Sequence, residues 1–189
     1  MSPILTGVIA SGISGHLTPT WSPEGAYDAL NTVTVPSGGA ASIEFIGIPT
    51  GYKHLQIRMT AFYTGSVGSG FIAFNGEVSS SNYSYHSLHG DGVSSPGAIA
   101  LTGQNQGKYT GAAGTSPAQP NVMVMDILDY KDTNKYKTVK GLYCWDNNGS
   151  GYVEFFSNLW QRTSAINSIV LTPANTFAEY TSIALYGVK

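Results

Sequence analysis

The chain has 189 residues, only 11% of them charged, and a formal net charge of −2, where an ordinary globular protein has about 25% charged residues. That length suits one domain with an arm, and no basic patch is present to hold nucleic acid by its phosphates. A single cysteine, Cys144, excludes an internal disulfide framework and a cysteine-rich zinc site.

Residues 1–30 mix Gly, Ser, Thr and Pro with isolated apolar side chains, and no period of 2 or 3.6 persists. Disordered tails are poor in large apolar residues. The stretch therefore reads as an extended N-terminal arm. Its anchors Ile4, Leu5, Ile9, Ile13, Leu17 and Trp21 are expected to attach to a partner. The run "ILTGVIASGI" is too short and too broken by glycine for a membrane span. The first basic side chain is Lys53, so a signal peptide with a positive leader is not expected. Folding in a reducing cytosol is.

Residues 31–189 read as the folded domain. In "KHLQIRMTAFY", Leu55, Ile57, Met59 and Ala61 point one way, and His54, Gln56, Arg58 and Thr60 point the other. That alternation marks a half-buried strand. It predicts that Leu55→Asp unfolds the domain and that Gln56→Asp is tolerated. Further strands are expected over 32–35, 42–48, 70–75, 82–88, 98–101, 122–130, 138–145, 152–160, 168–172 and 181–188. "VMVMDIL" and "YVEFFSNLW" are apolar on both faces and predict central strands buried twice. Residues 103–120 read as one long polar loop. No stretch has the pattern of a normal helix. Many short strands between Gly- and Ser-rich turns predict an all-β, jelly-roll-like β-sandwich behind the arm.

Catalytic and metal chemistry find little footing. "SNYSYHSLHGDG", residues 81–92, holds His86, His89 and Asp91. On a strand, His86 and His89 fall on opposite faces, so one metal cannot take both. Asp126 sits inside an apolar strand and needs a partner, Lys137 or Arg58 by this reading. "DNNGSG", residues 146–151, spaces Asp146, Asn148 and Ser150 like a calcium loop, but Ser157 stands where the distal Glu belongs. A hairpin turn is the stronger reading. No nucleophile elbow or phosphate loop is present. The chain is expected to be no enzyme and to need no cofactor. Tyr83, Tyr85, Tyr109 and Trp145 are candidates for glycan or subunit contact, since Tyr and Trp serve both roles.

Several strings are distinctive as a set: "YKHLQIR", "FNG" followed by "NYSYHSLHGDG", "DILDYKDTNKYKT", "SNLW", "AINSIVL" and "ALYG", in this order. They resemble a family of small virion structural proteins of tailed bacteriophages, including phages of marine bacteria. The likeness runs from about residue 26 to the end and leaves the arm outside. It implies a virion component built in the host cytoplasm, with other phage structural proteins as partners, the major capsid protein foremost. With an apolar-dotted arm and a compact knob, a capsid decoration or cement protein is expected, self-associated as a trimer. A tail-fibre or receptor-binding component gripping a host glycan is the alternative. Neither reading involves nucleic acid or a membrane.

Overall fold

The computed structural model describes residues 25–65, 68–114, 118–173 and 175–189. Among these, every regular element is a strand. The strands are β1 (Tyr27–Thr34), β2 (Ile43–Ile46), β3 (His54–Ala61), β4 (Tyr63–Thr64), β5 (Gly70–Phe74), β6 (Tyr83–Gly90) and β7 (Gly97–Gln104). They continue with β8 (Gly107–Thr110), β9 (Asn121–Leu128), β10 (Lys137–Asp146), β11 (Gly151–Trp160), β12 (Ser168–Thr172), β13 (Thr176–Phe177) and β14 (Ser182–Val188).

Eight strands form one sheet in the order β1-β14-β3-β9-β10-β11-β6-β7. Four form a second sheet, β2-β12-β5-β8, and β13 pairs with β4. All pairings are antiparallel. The fold is a β-sandwich-like stack. Alternation along each strand puts one apolar row inward. Ile57, Met125, Tyr143 and Phe156 of the large sheet share one core with Phe45, Phe74, Tyr109 and Leu171 of the small sheet. Polar contacts bind the two sheets as well. The Tyr83 hydroxyl accepts the Phe74 N–H at 2.9 Å, and Asn158 Oδ1 accepts the Lys108 N–H at 2.8 Å.

Turn chemistry follows the sequence. Asn75 and Gly76 both have positive φ (52° and 72°), and the Glu77 N–H closes on the Phe74 carbonyl at 3.0 Å. Asn148 and Gly149 also turn with positive φ, and the loop joins β10 to β11 as a hairpin.

Three expectations are corrected. The sheet begins at Tyr27, so residues 27–30 are strand and not arm; Leu30 packs on the core. The stretch 103–120 is not one loop. It contains β8, whose Tyr109 is fully buried. Its single apolar anchor among glycines and polar residues hid the strand from pattern reading. Strands β9 and β11 are not buried twice, because the small sheet covers only one face of the large one. Val122, Val124, Val153 and Phe155 point away from the core into solvent.

Candidate interaction surface

The register of the large sheet arranges its outer face in rows that cross the strands. Val124 of β9 pairs with Leu142 of β10, which pairs with Phe155 of β11, which pairs with Leu88 of β6. The next row carries Val122, Cys144 and Val153. The large apolar members, Val122, Val124, Leu142, Val153, Phe155 and Leu88, are 38% to 63% exposed. Together they form an apolar stripe across four adjacent strands. Isolated exposed apolar residues are ordinary, but a contiguous stripe marks a contact surface. Two shallow troughs flank it. One, of about 380 Å³, lies among Arg58, Thr60, Val124, Leu142 and Cys144. The other, of about 400 Å³, lies among His86, Leu88, Ala98, Ala100 and Phe155.

A polar row borders the stripe on one side: Gln56, Asp126, Lys140, Ser157 and His86 stand in register. Gln56 Nε2 donates to Asp126 Oδ1 at 2.8 Å, and Arg58 Nε donates to Gln56 Oε1 at 2.8 Å. The Arg58 guanidinium lies over the rings of Tyr27 and Tyr186, at 5.1 and 4.9 Å from their centroids. The one charge in the two apolar rows is thus held against aromatic faces.

The partner of Asp126 is therefore not Lys137. It is Gln56, with Lys140 Nζ at 3.7 Å and Arg58 reached only through Gln56. Lys137 points into the core. Its ammonium donates to the carbonyls of Asp132 (2.5 Å), Lys135 (2.9 Å) and Thr163 (3.0 Å).

The aromatic candidates separate by burial. Tyr83, Tyr85 and Tyr109 are wholly inside and cannot stack on a glycan or touch another subunit. Tyr85 donates to the buried Glu154 carboxylate, which also accepts the Gly111 N–H at 2.8 Å. Burial and then that carboxylate push the Tyr85 phenol far above its ordinary value. Trp145 is only partly covered, and its Nε1–H donates to the Ala112 carbonyl at 3.2 Å. His86 faces out, while His89 lies on the inner face, stacked on Tyr152. Among the described residues, no three His, Cys, Asp or Glu side chains gather as a metal site. Ile4, Leu5, Ile9, Ile13, Leu17 and Trp21 lie outside the described residues.

Distinctive strings far apart in sequence touch one another. Asn75 of "FNG" accepts the N–H groups of Asn167 and Ser168, and its Nδ2 donates to the Ala165 carbonyl. Just after "FNG", Glu77 accepts from Nε1 of Trp160 in "SNLW" and from Arg162 Nε, each at 2.7 Å. Gln56 and Asp126 join two further strings. Their shared role is framework. The stripe itself escaped sequence reading. Its signal was the doubly apolar character of "VMVM" and "YVEFF", which fits an exposed contact face as well as a second buried one. Comparisons with protein-family models, with curated proteins and with solved structures find no match.

Proposed function

We propose that this chain is a structural protein of a tailed-bacteriophage virion, a capsid decoration or cement protein of jelly-roll type assembled in the host cytoplasm. The apolar stripe carries the reading. A surface of Val122, Val124, Leu142, Val153, Phe155 and Leu88 suits a protein that lives against neighbours. The resemblance supplies the neighbours: other virion proteins, the major capsid protein first, and further copies of this chain in a trimer. The chain crosses between the two antiparallel sheets at β1-β2-β3, β5-β6, β7-β8-β9 and β11-β12, while β9, β10 and β11 run as a meander within the large sheet; the crossings support the jelly-roll class.

Attachment combines two elements. The N-terminal anchors insert between shell subunits, and the stripe lies against an adjoining protein. Because residues 27–30 belong to β1, the dispensable segment is residues 1–24. Cryo-electron microscopy of the intact particle tests the reading directly. Density for this fold at shell vertices or subunit joints is expected. Density only at the tail tip would replace it with the receptor-binding alternative.

A further inference from the structure

We infer that in the unassembled protein the apolar stripe is the seat of the chain's own residues 4–21. The inference holds whether or not the chain belongs to a virion. Gly25 precedes β1, and β1 is the edge strand of the very sheet whose outer face carries the stripe. The segment before it therefore enters at the border of that face.

Reach is ample. From β1 to β11 is five strand spacings, about 24 Å. Residues 4–21, extended, span about 55 Å. The chemistry also matches. Residues 1–23 contain no Asp, Glu, Lys or Arg, and they place Ile4, Leu5, Val8, Ile9, Ile13, Leu17 and Trp21 at irregular intervals. The two stripe rows hold Val122, Cys144 and Val153, then Val124, Leu142, Phe155 and Leu88, with Arg58 already held by Tyr27 and Tyr186. The segment brings no charge to the stripe, and Arg58 keeps its contacts with the two rings and with Gln56 Oε1. A tether this short gives the segment a high effective concentration over its own sheet, which favours it over a second copy at low protein concentration. Docking on a particle then exchanges one apolar seat for another and leaves the stripe free for a neighbour.

The chain's only cysteine reports on this seat, because Cys144 lies in the stripe between Val122 and Val153. Thiol labelling of particle-free protein should be about tenfold slower in the full chain than in the chain lacking residues 1–24, as for a seat filled about nine-tenths of the time. The protection should not change on dilution. Should the shortened chain fail to melt cooperatively, Ile9→Asp/Ile13→Asp in the full chain takes its place, with the same acceleration expected. Equal labelling rates would overturn the inference. Protection that disappears on dilution would overturn it too, and would give the stripe to a second copy.

Discussion

Gln56 and Asp126 face each other directly across β3 and β9, and the Gln56 amide donates to the Asp126 carboxylate at 2.8 Å. Gln56 is only 7% exposed, although its position in the alternation assigns it to the outer face. Its amide is engaged by Asp126 across the strands and by Arg58 along its own strand. The tolerance expected for Gln56→Asp is therefore reversed. The substitution sets two carboxylates opposite each other and removes the acceptor of the Arg58 N–H. A loss of about 1–3 kcal/mol is expected. Thermal melts of Gln56→Asp beside Leu55→Asp measure it: the first should stay folded at a lower midpoint, and the second should not fold.

Lys137 and Lys140 sit three residues apart in β10 with opposite surroundings. Lys137 is buried and gives its three protons to backbone carbonyls. Lys140 is exposed and pairs with Asp126 at 3.7 Å. Lys137→Met should cost about 3 kcal/mol, because three carbonyls lose their donor. Lys140→Met should cost under about 1 kcal/mol. Urea unfolding of both variants decides it, and similar midpoints would refute the carbonyl clamp.

Glu77 links stability to pH. Burial works against its charged form, but the Trp160 N–H and the Arg162 guanidinium outweigh it and hold the carboxyl below its ordinary range. A depressed carboxyl stabilises the fold at pH values above its unfolded pKa. That contribution is lost as pH falls through the folded value. At neutral pH, Glu77→Gln should melt lower by about 1–2 kcal/mol. The gap between variant and natural chain should narrow steadily on acidification below the ordinary carboxylate range. A gap independent of pH would show that Glu77 acts by packing alone.

Phe155 and Phe156 are adjacent and face opposite ways, 55% and 0% exposed. Phe155→Asp should leave the melt within about 1 kcal/mol of the natural chain yet abolish binding to particles that lack this protein. Phe156→Asp should prevent folding, since it buries an unpaired charge. Sedimentation with particles and a melting scan separate the two. Full particle binding by folded Phe155→Asp would remove the stripe from the attachment surface.

The β character and most strand positions were legible because period-2 alternation survives wherever one face meets the core. Leu55, Ile57, Met59 and Ala61 are all buried, as the pattern of "KHLQIRMTAFY" requires. His86 and His89 likewise divide between the two faces. Strand β8 was not legible, because its burial depends on an aromatic lying against Gly70, where any Cβ would meet the Tyr109 ring at 2.2 Å. No local pattern encodes such a contact. The stripe was misread for a related reason. An apolar residue on the second face of a strand looks the same whether a covering layer is present or not, and only the sheet order shows that the small sheet covers one side.

The stripe runs across the strands, so Leu88, Val124, Leu142 and Phe155 come from four separate stretches of chain. Insertions and deletions therefore act on it in an all-or-none way. Lengthening the turn between Asp146 and Gly151 leaves every row aligned. Removing one residue inside β10 turns Leu142 inward, brings a core side chain out in its place and cuts the stripe in two. Related chains with divergent sequences should consequently vary in the lengths of their turns while holding strict residue counts within β6, β9, β10 and β11.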